Sequence, residues 1–334
     1  MQSLAAATAI SALLAGITLT PQVTGVTARL RGISVVDDQV AWASGTNGTV
    51  LRTTDAGASW TRRPVAGADA LDFRDIDAVS RDVAYVLSIG PGDASRIYKT
   101  MDGGDTWALQ FTNSDPKAFY DAMAFWDAAR GLAVSDSVDG QFVILATADG
   151  GASWRRIPAD ALPPALPGEG AFAASGTNVA VRGSQLAWFA TGAGRVLRTT
   201  DGGRSWSVST TPLVTGPSAG IFSIAFRDDL HGVVVGGDYK QEAAMSANAA
   251  LTSDGGATWT LTRSPRGYRS VVAVGAGGTR LVAAGPTGVD VSDDRGATWK
   301  GLTNSGFHAL AFAPSGKRAW AVGESGTAAR IDLP

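Results

Sequence analysis

One short pattern recurs six times along the chain: TTDAGASW (53–60), TMDGGDTW (100–107), TADGGASW (147–154), TTDGGRSW (199–206), TSDGGATW (252–259) and SDDRGATW (292–299). The gaps between the closing tryptophans, Trp60 to Trp299, are 47, 47, 52, 53 and 40 residues. A repeat of that length is the period of a propeller blade, a small sheet that cannot bury its faces alone and stacks on its neighbours. The motif is a β-turn in its chemistry. Asp55, Asp102, Asp149, Asp201, Asp254 and Asp294 offer a short acceptor to backbone N–H groups of their own turn. Glycine at positions such as Gly57 permits positive φ, and the tryptophan supplies a large ring where sheets pack. These six aspartates are read as structural, not as metal ligands.

Apolar alternation supplies the strands around each turn. A second strand is legible seven times, as VAWAS (40–44), VAYVLS (83–88), LAVS (132–135), LAWFATG (186–192), VVVGG (233–237), LVAAG (281–285) and AWAVG (319–323). A third strand also occurs seven times, but the seventh unit has neither its Asp-turn nor an outermost strand. Residues 22–28, QVTGVTA, are β-prone and precede the first inner strand, so they are expected to pair onto the last blade and close the ring, removing an open sheet edge. The predicted fold is all-β: one seven-bladed propeller of four-stranded antiparallel blades over residues 22–334.

Bulk composition adds exclusions. A net charge of −2 gives no field that would draw nucleic acid. Cysteine is absent and only His231 and His308 are present, so thiolate chemistry and histidine-rich metal sites are excluded. No cofactor or metal is expected: there is no GxGxxG opening a helix and no haem-attachment motif. A redox enzyme has almost no support. The first twenty residues, MQSLAAATAISALLAGITLT, form an apolar run shorter than a confident membrane span and lack a basic n-region. They are read as an export segment, which predicts a periplasmic or secreted protein.

A site is expected where the inner strands begin around the central channel. Aligned through their second strands, those starts carry Arg31, Arg74, Tyr120, Thr177, Phe222, Arg269 and His308, followed by Gly32, Asp75, Asp121, Asn178, Ser223, Ser270 and Ala309. Closure places Arg269, His308, Arg31 and Arg74 in one basic arc suited to carboxylate or phosphate. The competing reading is a set of Arg–Asp pairs, such as Arg74 with Asp121, that only join blades. Long loops at 155–171, 207–221 and 236–248 raise one side of the mouth and bring Glu169, Asp238, Tyr239, Lys240 and Glu242 toward it. Trp126, at a turn on the far face, is read as packing.

The six Asp-turns at blade period resemble the Asp-box of sialidase-like and related propellers. The stretch RGISVVDDQVAWASGTNGTVLRTTDAGASW (31–60) resembles the first blade of the photosystem II stability and assembly factor family. That resemblance implies an exported, non-catalytic scaffold that binds a protein partner, associated with a membrane complex; the chain is expected to be a monomer. Arg31, Arg74 and Arg269 would then be partner contacts, joined in the reading by His308, Glu169 and Asp238. The alternative is a glycan-directed enzyme or lectin. Sialidases set an arginine trio, a Tyr–Glu pair and an acid–base Asp in such a mouth, and other Asp-box hydrolases use two carboxylates about 5–9 Å apart. Asp75, Asp121 and Tyr120 are the residues that reading would use. Against it, RRIP (155–158) follows a box instead of preceding the first, and no inner-ring Glu accompanies Tyr120. Fold alone does not choose between these activities.

Overall fold

The computed structural model describes residues 16–334. Seven four-stranded antiparallel sheets stand around one channel. Blade 1 is typical, with strands Leu30–Val35, Ala41–Gly45, Thr49–Thr53 and Thr61–Arg62 from channel to rim. Its second strand is buried along its whole length, while its outer strand is exposed. The middle strands are therefore continuous apolar runs, since both of their faces meet neighbouring blades.

Each Asp-box is held by the same bonds. In the first, the Thr53 hydroxyl and the Ser59 amide donate to Asp55 Oδ1 at 2.8 and 2.9 Å. The Ser59 hydroxyl donates to Oδ2 at 2.6 Å, and the Gly57 amide donates to Thr53 Oγ1 at 2.8 Å. The other five repeat this set, and the aspartates sit below the usual carboxylate range because hydroxyl and amide donors favour the charged form. These are turn locks, as the sequence predicts.

Ring closure uses both ends of the chain, but not the residues expected. Strand Thr18–Gln22 pairs antiparallel with Ala328–Asp332 and completes blade 7, whose other strands are Ala309–Phe312 and Arg318–Val322. The expectation of 22–28 is corrected by side-chain alternation. Ile17 and Leu19 point into the core between blades 6 and 7, whereas Val23 is 78% exposed. Pro21 is tolerated because the outer strand has a free edge. Residues 23–28 instead lead toward the first inner strand, with the Thr24 hydroxyl donating to the Gly326 carbonyl at 2.7 Å. The expected export segment overlaps the closing strand at Thr18–Thr20; its residues 1–15 lie outside the described residues. No described helix is long and apolar enough to cross a membrane.

Candidate ligand-binding mouth

Four inner strands begin with a one-residue register shift against their second strands, between Leu30 and Gly32, Phe73 and Asp75, Tyr120 and Ala122, and Ile221 and Ser223. The unpaired residue of each bulge, Arg31, Arg74, Asp121 or Phe222, is turned into the channel. This ring corrects the sequence alignment in two blades. In blade 3 the bulged residue is Asp121, and Tyr120 is buried between blades against Phe111. In blade 6 the Arg269 amide bonds the Gly236 carbonyl as Leu30 bonds Gly323, so Arg269 takes the inward core position and Ser270 the ring position. A slip of one residue sends the side chain to the opposite face.

Arg269 is therefore no mouth residue. It is fully buried, with its Nη2 2.5 Å and its Nε 2.7 Å from Asp290 Oδ2, and Arg266 Nε reaches Asp290 Oδ1 at 2.6 Å. Glu169 is likewise internal, accepting from Arg195 Nη1 at 2.5 Å, Thr191 Oγ1 at 2.7 Å and the Leu166 amide at 2.8 Å. Asp238 caps its own turn by accepting from the Lys240 amide at 2.8 Å, and does not line the mouth.

A loop from blade 4 crosses the channel. The Ala171 amide donates to Asp136 Oδ1 at 2.8 Å, and the Ala173 carbonyl accepts from Arg74 Nη1 at 2.8 Å. The Ser175 hydroxyl donates to the Ser270 carbonyl at 2.8 Å, and Thr177 Oγ1 meets Ser223 at 2.7 Å. Gly176 has φ +74°, and a Cβ there would collide with the Asp75 carboxylate. Residues 171–177 thus plug the pore. On one side is a mouth cavity of about 760 Å³; on the other is a chamber of about 430 Å³ that holds Asp75 and Asp77.

The plug separates Asp75 from Asp121. Asp75 accepts the Ile76 and Met123 amides at 2.8 and 2.7 Å on the far side, and Asp121 lines the mouth. Nor does Arg74 pair with Asp121; its Nε holds Asp72 at 2.8 Å. Burial, then the neighbouring Asp136 charge, pushes the Asp121 carboxyl well up, and burial raises Asp136 as well.

The cationic side of the mouth is Arg29, Arg31 and Arg74. His308 completes the arc in place but not in charge. Burial and then the Arg31 charge lower it to about 4, and its Nε2 lies 2.9 Å from Glu324 Oε1, which Arg29 Nε also reaches at 2.6 Å. Arg31 has no carboxylate partner among the described residues. Its Nη1 makes one long bond of 3.4 Å to the Ala174 carbonyl, and its buried Nε has none. Burial and then the Arg74 charge lower its pKa to about 10. Opposite stands an aromatic wall: Phe172 stacks on Phe222 at 4.0 Å, with Tyr239 and Tyr268 edge-on.

Sequence reasoning reached Tyr239 and Glu242 through the long loop 236–248 but missed Arg29, Asp136, Phe172, Tyr268 and Glu324. Arg29 had a signal, since it lies two residues before Arg31 and so on the same side of an extended chain. Phe172 had none, because a loop inserted into a pore leaves no periodicity. Trp126 packs as expected, its Nε1 donating to the Leu186 carbonyl at 2.7 Å. Among the described residues no three His, Cys, Asp or Glu side chains are grouped to hold a metal ion.

Residues 75–215 match the family model described as photosynthesis system II assembly factor YCF48. No curated protein matches the chain. Two similar solved structures carry the same family name. "YCF48 bound to D1 peptide" aligns with TM-score 0.68 and 16% identity over 97% of this chain and 99% of that one. YCF48 from Cyanidioschyzon merolae aligns with TM-score 0.63 and 17% identity over 94% and 98%. The GH74 enzyme of Niastella koreensis aligns with TM-score 0.63 and 15% identity over 92% of this chain and 53% of its own length. At these identities the structural likenesses show the fold alone. With the matched segment, they make the chain an Asp-box propeller that resembles the photosystem II assembly factors.

Proposed function

From that resemblance we propose that the chain is a non-catalytic assembly scaffold whose mouth grips an acidic, extended segment of a protein partner within a membrane complex. The observation that carries this reading is Arg31. A largely buried guanidinium with no carboxylate partner among the described residues, crowded by Arg74, is stabilised by any anion that enters. The aromatic wall opposite offers flat apolar surface for the side chains that flank such an anion. A solved structure of the same fold holds a peptide, which supports a protein ligand over a small one.

The glycan-directed reading loses its proposed catalytic pair, because Asp75 and Asp121 face different chambers and Tyr120 faces neither. We place the protein outside the cytoplasm, on the strength of the apolar run at residues 1–20. N-terminal sequencing of mature protein is expected to find a terminus at or before Ile17, because a later cut removes part of the closing strand.

The test uses a fluorescein-labelled acidic peptide with a free C-terminal carboxylate, followed by fluorescence anisotropy. Arg31→Gln is expected to weaken binding about tenfold or more, as a hydrogen-bonded charge pair is worth about 1.5–3 kcal/mol. Its melting temperature should hold or rise, since a like-charge contact is removed. Unchanged affinity in Arg31→Gln would overturn the reading, and turnover of a fluorogenic glycoside abolished in Asp121→Asn would replace it.

A further inference from the structure

We infer that the cleft between blades 5 and 6, on the Asp-box face and away from the mouth, is a binding site for a small planar aromatic acid with a ring N–H or O–H. The chain's own repeats show what other blade interfaces place there. Between blades 4 and 5, Trp188 stacks on Phe226 at 3.6 Å, and its Nε1 donates to the carbonyl of the box residue Gly255 at 2.7 Å. Between blades 2 and 3, Tyr85 stacks on Phe125 at 3.9 Å, and its hydroxyl donates to the box carbonyl of Gly150 at 2.8 Å. Both interfaces thus place two rings and a donor beneath the turn.

Strand register identifies the same two positions between blades 5 and 6. Gly232 pairs Phe226 and Leu281 pairs Val274, so Val274 stands for Phe226, and Val233, one residue after Gly232, stands for Trp188. Both rings are replaced by valine. A cleft of about 280 Å³ remains, floored by Ala225, Val233, Leu251, Val274 and Leu281. An apolar cavity of about 150 Å³ is enough to take benzene. The box residue here is Arg295, and no donor reaches its carbonyl among the described residues. Leu251 and Leu281 take part of the ring's place, lying against the box glycine Gly296 as Trp188 lies against Gly256, and the cleft left beside them borders Arg295 and its unengaged carbonyl.

The rim adds charge. Arg295 holds φ +63° where four other boxes carry glycine, and its side chain makes no ion pair among the described residues. Among the described residues Arg227 reaches Asp228 alone, at 4.0 Å, and His231 also borders the cleft. The lining carboxylate, Asp294, is engaged by Ser292 at 2.8 Å and by the Thr298 amide at 2.8 Å. An anionic substituent on the ring would meet the Arg295 guanidinium, with that of Arg227, weakly held by Asp228, beside it.

The probes are indole-3-acetate and 1-methylindole-3-acetate, titrated against the full chain by isothermal calorimetry and saturation-transfer NMR. Indole-3-acetate is expected to bind saturably, at least fivefold more tightly than its N-methyl analogue. Val233→Trp, which rebuilds the ring seen at Trp188, should abolish binding and raise the melting temperature. Val274→Phe should abolish binding by the same filling, should the larger side chain prevent folding. Arg295→Gly restores the ordinary box and folds without strain; it should weaken indole-3-acetate about tenfold. Arg31→Gln should change nothing, which separates this site from the mouth. No saturable binding to the wild type, or binding that survives a folded Val233→Trp or Val274→Phe, would overturn the inference.

Discussion

Two kinds of buried or bonded charge behave oppositely when removed. Arg269 and Asp290 neutralise each other in the core, so Arg269→Ala leaves a buried carboxylate with Arg266 as its remaining cation. Breaking such a pair costs about 3 kcal/mol or more, and calorimetry should show a melting temperature lower by about 5 °C with little change in peptide affinity per folded molecule. Arg31→Gln should show the reverse. Asp201→Ala removes a half-buried turn lock and should lower the melting temperature by about 2 °C without touching the mouth. Sequence alone ranked Arg31 and Arg269 together, since both precede an inner strand. Only register divides them.

The plug is the element that turns a pore into a cup. Its backbone is tied by Arg74, Asp136 and Ser270, which come from three blades. Gly176→Ala should displace it, because the added Cβ meets the Asp75 carboxylate and φ is positive. Faster hydrogen exchange over residues 171–177 and weaker peptide binding are the expected readouts; native exchange in that segment would contradict the role given to it. The loop's length was legible in the sequence, its destination was not. Its Ala–Ser–Gly run carries no strand or helix signal, and its partners are scattered over 200 residues of chain.

At the scale of the whole molecule, closure and pH response are both global. Deleting residues 1–15 should leave the ring intact, while deleting residues 1–22 removes Ile17, Leu19 and the strand that covers Ala328–Asp332. The longer deletion should melt earlier and aggregate through the exposed edge, measured by scattering during a thermal ramp. Carboxyls around the pore set the acid response. Burial raises Asp77 to about 6, and Asp75, Asp121 and Asp136 are also raised. A raised carboxyl destabilises the fold once it ionises, so stability should increase as pH falls from about 7.5 to 5. The Asp-box carboxyls work the other way: Asp102, Asp149 and Asp201 are held down at about 2, so their contribution is present above about 4 and is lost as pH falls toward 2. Melting temperature against pH should therefore peak near 5. A monotonic decline from neutral pH would contradict it.

The amino-acid order by itself determined the blade count, the turn chemistry and the fact of circular closure, because each rests on contacts within one repeat or on a count of repeats. It also carried two of the mouth's arginines, Arg31 and Arg74. What only the tertiary structure decided was which side chains share a chamber. A one-residue bulge exchanges Tyr120 for Asp121, the lack of one withdraws Arg269, a crossing loop parts Asp75 from Asp121, and two valines stand between blades 5 and 6 where the interfaces of blades 2 and 3 and of blades 4 and 5 hold rings. Each depends on the packing of residues distant in the chain, where local pattern has nothing to report.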